Sequence, residues 1–188
     1  MLDESFEDFM SMLDCPVFVV TTQLHGRPSG CLVAFANQSG VDPPRFSAAI
    51  AKGSDTWEVA SQSQHLAVHV LSRQQRGLAE LFGGPTGPAL NPFDRCSWRA
   101  GPQGMPVLDE AIAWFVGRTL DRFDVGDHVQ YLLEPVATWA PECSDDPLYL
   151  SDFDDVDPGH DASHRLFDSA SGDATRRYGV VRFTLGGI

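Results

Sequence analysis

Short β-branched runs, broken by turn-forming residues about every eight to twelve positions, constrain this chain more than any other feature. Residues 17–22 (Val-Phe-Val-Val-Thr-Thr) are such a run, and β-branched side chains suit a pleated, half-buried surface. Turn chemistry follows in His25, Gly26 and Pro28, so the apolar run at 30–35 returns as the second strand of a hairpin. The pattern loses its regularity at 36–40 and then meets Asp42-Pro43-Pro44. Proline has no N–H for a sheet ladder and restricts the residue before it to extended geometry. The chain is therefore expected to leave a sheet here, cross an ordered loop at 36–40 and re-enter a sheet at Arg45. Loops held between two strands are where binding residues concentrate.

Further strands are expected at 45–51, 65–71, 111–120 and 129–137, with 148–150 as a last strand before a strand-like end at 178–185. Phe6, Phe9, Met10 and Leu13 have the i, i+3, i+4, i+7 spacing of an amphipathic helix, capped by Asp3 or Ser5 and ended by Cys15-Pro16. Ser54, with Glu58 in the first turns, predicts a helix over 55–63, and Ser72 starts another over 73–82. Glycine- and proline-rich clusters at 83–88 and 101–106 bracket an excursion that is either a lid or a surface loop. Hairpin-length connections disfavour parallel βαβ units. The predicted fold is mainly β, a closed antiparallel barrel with a few short helices.

A chain of 188 residues suits one domain with one sizeable core. The formal net charge is −13 and Lys52 is the only lysine, which argues against a nucleic-acid partner and against an anionic membrane surface. No apolar run is long enough to cross a bilayer, and the acidic N-terminus lacks a signal peptide's basic region, so a cytoplasmic location is expected. Cys15, Cys31, Cys96 and Cys143 are widely spaced, which removes the common zinc and redox motifs and leaves buried, inert thiols. His65 and His69 share a strand face but stand too far apart for one zinc ion. The aspartates of 152–164 do not match an EF-hand loop, and that stretch, with His160 and His164, reads as a solvated acidic tail. No metal site is expected. The domain division is 1–150 for the barrel and 151–188 for an acidic C-terminal extension, partly flexible or dimer-associated.

The junction after the 45–51 strand, Lys52-Gly-Ser54-Asp55-Thr56, sets a lone cation beside a capped helix start, an arrangement that attracts phosphate. The glycines at 83–88 are no phosphate loop, because they follow a helix and lack the Gly-Lys-Ser/Thr ending.

Taken in order, the chain carries Pro-Val-x-Val-Val-Thr-Thr, x-Gly-x-Pro-x-Gly, Asp-Pro-Pro, Lys-x-Ser-x-Thr, His-Leu-Ala-Val-x-Val-Leu-Ser, Leu-Ala-Glu-Leu-Phe, and Gly-Asp-His before a strand ending in Glu-Pro-Val. From about residue 6 to 149 this set resembles the flavin reductase-like family, with its Greek-key, FMN-binding split β-barrel. The resemblance implies a homodimer that binds FMN, sometimes FAD. Such a protein takes a hydride from NADH or NADPH and often hands reduced flavin to a partner monooxygenase.

It places Leu32, Val33, Ala34, Phe35, Ala36, Asn37, Gln38 and Ser39 along the isoalloxazine and ribityl chain, largely through backbone groups. Lys52, Ser54, Asp55 and Thr56 fall at the phosphate end, and His128 near nicotinamide and flavin as the catalytic residue. Where the family often has serines or threonines, this chain has Leu32, Ala34 and Phe35. The competing expectations are a deazaflavin-dependent or pyridoxamine-oxidase-like oxidase and a non-catalytic ligand-binding split barrel.

Overall fold

The computed structural model of the chain describes residues 4–84, 91–142 and 145–153. The helix α1 (Glu4–Ser11) leads into β1 (Phe18–Leu24), which pairs with β2 (Arg27–Val33) as the expected hairpin. Its two turn residues, His25 (φ 51°) and Gly26 (φ 79°), take the left-handed backbone whose twist matches that of the flanking strands.

The stretch after β2 corrects the expectation. Residues 36–40 are not a loop but most of a strand, β3 (Ala36–Val41), paired with β4 (Pro44–Ala51) and bulged between Gln38 and Gly40. The break in the ladder lies earlier, at Ala34 and Phe35. The prolines are tolerated because Pro43 occupies the turn and Pro44 is the first residue of its strand. The apolar alternation is missing because β3 is an edge strand with Asn37, Gln38 and Ser39 all exposed.

The helix α2 (Asp55–Ala60) starts where Ser54 predicts, its Oγ accepting from the Trp57 N–H at 3.0 Å, but ends before residue 63. Then come β5 (His65–Val70), a 3₁₀ turn Arg73–Gln75 and α3 (Arg76–Gly83). Gln75 Oε1 accepts from the Ser72 N–H at 2.9 Å. The excursion holds a 3₁₀ turn Pro92–Asp94 and a small hairpin of β6 (Trp98–Ala100) and β7 (Pro106–Leu108). The long strands β8 (Ala113–Asp124) and β9 (His128–Trp139) follow. The strand expected around Leu148 is reduced to two isolated bridges and a 3₁₀ turn, Leu150–Phe153. Its apolar alternation serves packing, since Leu148, Leu150 and Phe153 are all buried. Cys143, most of the 83–88 cluster and the calls on 154–188 lie outside the described residues.

Seven strands form one antiparallel sheet in the order β2-β1-β5-β8-β9-β4-β3. Cys31 and Val33 from β2 share an apolar cluster with Ala48 and Ile50 from β4, so the two ends of the sheet curl towards each other into a barrel. Side chains alternate across each strand. Val20, Leu66, Val68, Tyr131 and Leu133 therefore fill the inside, while Val19 and Leu32 face out and are covered by α3 residues Leu78 and Phe82 together with Phe93, Leu148 and Phe153.

His69, fully buried on β5, fastens the β6–β7 hairpin to this barrel. The Leu108 N–H donates to its Nε2 at 3.2 Å, so Nδ1 must carry the proton and donate to the Val19 carbonyl at 2.9 Å. Gly101 allows the hairpin to close, because a Cβ there would lie 2.4 Å from Val107 Cγ2. Gly101→Ala is expected to cost about 1–3 kcal/mol, the usual range for overpacking. Urea unfolding checks this, and an unchanged midpoint would contradict it.

Candidate functional site

The corner between β2 and β3 organises the site. Leu32, Val33 and Ala34 are buried, and Leu32 and Ala34 belong to the outer apolar cluster, so these side chains serve the core. Their backbone is another matter. In an antiparallel ladder successive residues turn their N–H and C=O groups to opposite sides. The two-residue hairpin makes Leu24 and Arg27 a hydrogen-bonded pair, so by this alternation Gly30 and Leu32 turn their backbone groups away from β1. Among the described residues, β2 has no neighbouring strand on that side. The free edge is a row of donors and acceptors beside the corner.

At the corner itself the Ala36 N–H donates to the Ala34 carbonyl at 3.0 Å, and the Ala49 N–H to the Phe35 carbonyl at 2.9 Å. This leaves the Phe35 ring 39% exposed, with its centroid 5.6 Å from that of His128. On β3, Gln38 Nε2 donates to the Gly40 carbonyl at 3.0 Å, and Ser47 Oγ donates to Ser39 Oγ at 2.9 Å.

His128 opens β9 opposite Ala51, at the end of β4. It is buried, its Nδ1 lies 2.8 Å from Asp127 Oδ1, and its Nε2 has no hydrogen-bond partner among the described residues. Lys52 follows Ala51, and its N–H donates to the Asp127 carbonyl at 2.9 Å. Its ammonium is not free. Nζ lies 2.8 Å from both carboxylate oxygens of Asp124, a residue the Gly126 N–H also binds at 3.0 Å. These bonds, that of Lys52 first, hold the Asp124 carboxyl below its ordinary range. The cation expected to stand alone is thus paired with a residue 72 positions away.

Phe35, His128 and Lys52 therefore gather where the β2–β3 corner, the end of β4 and the start of β9 meet. Asp55 and Thr56 lie elsewhere, in the wall of a cavity of about 700 Å³ between the β1–β2 hairpin, α2 and the Pro92–Asp94 turn. Ser54 is buried as the α2 cap and does not line it. Ser29 Oγ and Thr56 Oγ1 meet at 3.1 Å on this wall. Beside them, burial pushes the Cys31 thiol up to about 12, so it stays protonated at neutral pH.

Sequence reasoning missed the cavity residues Arg27, Ser29, Gly30 and Asp94. The one local signal was Gly30, where a Cβ would come within 3.0 Å of the Phe82 ring. A second cavity, of about 370 Å³, is lined by Phe18, Phe46 and Phe115, and Gln38 is the one predicted site residue at its wall.

A buried histidine with one free nitrogen, an exposed ring and an open strand edge suit the holding and polarising of a flat ligand. They place the candidate site at the β2–β3 corner of a β-barrel protein. The flavin reductase like domain matches residues 10–156, and the chain belongs to the flavin reductase-like family. It is 30% identical over 125 residues, 66% of this chain and 76% of the relative, to the FMN reductase (NADH) RutF of Escherichia coli O139:H28 (strain E24377A / ETEC).

Among solved structures it is similar to a nitrilotriacetate monooxygenase component B homolog from Mycobacterium thermoresistibile. There the TM-score is 0.70 at 24% identity, over 78% of this chain and 80% of that one. It is likewise similar to the NADH:FAD oxidoreductase SgcE6 of Streptomyces globisporus C-1027, with a TM-score of 0.69 at 21% identity over 78% and 86%. The two structural likenesses speak for the fold.

Proposed function

We propose that this protein is a flavin reductase that moves a hydride from NADH, or NADPH, to FMN or FAD. The observation that carries the assignment to this site is His128: a buried ring with an unpartnered Nε2, held by Asp127 and facing the exposed Phe35 ring. An orphaned buried nitrogen next to an aromatic face and a free strand edge fits a planar, polar-edged heterocycle. When bound, the flavin supplies the ring that accepts the hydride, and the protein supplies orientation and polarity.

Leu32 contributes backbone groups alone, because its side chain is spent in the core, whereas the Val33 backbone is spent on Phe18 of β1 and the Ala34 carbonyl on Ala36. Phe35 offers a ring face, with Ala36, Asn37, Gln38 and Ser39 flanking it along β3. His128 Nε2 holds or accepts a proton at the ring edge. Lys52 belongs at the phosphate end, where it has to exchange Asp124 for phosphate, Ser54 serves that end only by capping α2, and Asp55 and Thr56 reach it from the wall of the neighbouring cavity.

Lys52→Ala is expected to weaken FMN by about tenfold and riboflavin hardly at all, as for one charge-assisted contact of roughly 1–2 kcal/mol. Equal losses for the two flavins would put the phosphate elsewhere.

In this reading the enzyme is a cytoplasmic homodimer that passes reduced flavin to a partner monooxygenase. The exposed Leu120, Phe123 and Val125 around the β8–β9 turn support a protein contact there. Among the described residues, no helix is long and apolar enough to cross a membrane. The reading is tested by adding NADH anaerobically to the full chain with FMN, FAD or riboflavin and following loss of the flavin absorbance. Neither binding nor bleaching with any of the three would sink it. Binding without bleaching would favour a flavin holder, the reading that the hydroxyl-poor Leu32 and Ala34 suggest.

A further inference from the structure

A cation reserved for a ligand would stand free, yet Lys52, the only lysine of the chain, already holds an anion. Its N–H donates to the Asp127 carbonyl at 2.9 Å, and its Nζ meets both Asp124 carboxylate oxygens at 2.8 Å. The β8–β9 turn presents that carboxylate. Gly126 takes a φ of 107°, which glycine adopts without strain, and its N–H turns back to Asp124 Oδ1 at 3.0 Å. The Val125 N–H donates to the His128 carbonyl at 3.1 Å, so the turn closes beside the catalytic candidate. One ammonium and one backbone N–H therefore form an anion site whose occupant belongs to the chain itself.

We propose that Asp124 is an internal stand-in for the flavin phosphate: it occupies Lys52 in the free protein, gives way to a phosphorylated flavin, and so sets how tightly FMN is held relative to riboflavin. The proposal rests on the flavin reductase reading for the identity of the ligand. The two side chains are 34% and 72% exposed, and an exposed ion pair is weak enough to be displaced. A phosphate monoester carries nearly two negative charges at pH 7 and three acceptor oxygens, against one charge and two oxygens for the carboxylate. On the same ammonium the ester wins, and the exposed Asp124 turns to water. Riboflavin brings no anion and leaves the pair intact. Binding of FMN thus breaks the Lys52–Asp124 pair, and release of FMN restores it.

Asp124→Asn keeps an oxygen that accepts from Gly126 and removes the charge. Fluorescence titration of the full chain is expected to show FMN bound about two- to fivefold more tightly, the worth of one exposed ion pair, with riboflavin unchanged. Asp121, which accepts from the Arg122 N–H, has no ion pair with Lys52 among the described residues, so Asp121→Asn controls for the general field and is expected to change FMN binding less. In a Lys52→Ala background, Asp124→Asn is expected to leave FMN binding where it was, because no ammonium remains to be contested. Unchanged or weaker FMN binding in Asp124→Asn, an equal gain for riboflavin, or the same gain without Lys52 overturns the proposal.

The single lysine supplies a readout that needs no turnover. In protein labelled with carbon-13 at the lysine Cε, its one signal is expected to shift in Asp124→Asn and on addition of FMN, and to stay in place with riboflavin. A signal that FMN does not move overturns the exchange, while NADH-dependent bleaching in the same sample leaves the flavin reductase reading standing. A signal moved by FMN without any bleaching removes that reading and leaves the exchange at Lys52 in place.

Discussion

His128→Ala is expected to slow NADH-dependent flavin bleaching roughly ten- to a hundredfold, while the flavin dissociation constant moves by less than about threefold. The rate factor corresponds to losing one hydrogen bond to a group that gains charge, about 1.5–3 kcal/mol. The binding constant is spared because the strand edge of Gly30 and Leu32 and the Phe35 ring remain. Anaerobic stopped-flow mixing separates the two, since it reads the reduction step directly. A variant that bleaches at the wild-type rate would remove His128 from the transfer. His128→Asn adds a control, because its amide still offers a donor in place of the ring and should recover part of the lost rate.

Lowering the pH from 7 to 4 is expected to remove about 3 kcal/mol of folding stability through His69 alone. Burial pushes this imidazole down from 6.5 to about 4, against a smaller upward pull from its bond to the Val19 carbonyl. The unfolded chain therefore binds the proton first. Between the two values the unfolded state holds more protons than the folded one, so stability rises with pH across that window. It is fully present above about pH 6.5, is lost as the pH falls towards 4, and is level below that.

Protonation at Nε2 also removes the acceptor that the Leu108 N–H uses, which loosens the β6–β7 hairpin first. His65, lowered mainly by burial, adds in the same direction. Glu134, held below its ordinary value of 4.5 chiefly by Arg118, begins to lose its contribution only as the pH falls past that value, at the acid end of the window. His69→Gln keeps a donor and an acceptor without the titration. Urea unfolding at several pH values is expected to show its pH dependence flattened between 6.5 and 4 relative to the wild type. Parallel curves for the two proteins would contradict the assignment to His69.

Much of this protein was legible from local residue order. The β1–β2 hairpin followed from a β-branched run and His25-Gly26, because turn geometry depends on the turn residues themselves. Ser54 announced α2, because a cap acts over three residues. The ordered motifs sufficed for the family. Two local readings failed for a shared reason: apolar periodicity reports burial and not hydrogen bonding. The polar β3 is a strand with little to bury, and Leu148–Leu150 is buried with almost no ladder.

The site divides along the same line. The amino-acid order alone determined which residue types were available: a histidine after Gly126-Asp127, one lysine before a capped helix, and a hydroxyl-poor segment ahead of Asp42-Pro43-Pro44. Only the tertiary structure decided what each was free to do. It turned Leu32 and Ala34 into the core, paired Lys52 with Asp124, left His128 Nε2 without a partner, and opened a cavity beside Arg27. Those outcomes depend on which distant groups the closing barrel brings within hydrogen-bond reach, and the strength of a charge or a donor is set by that neighbour and by the water it loses.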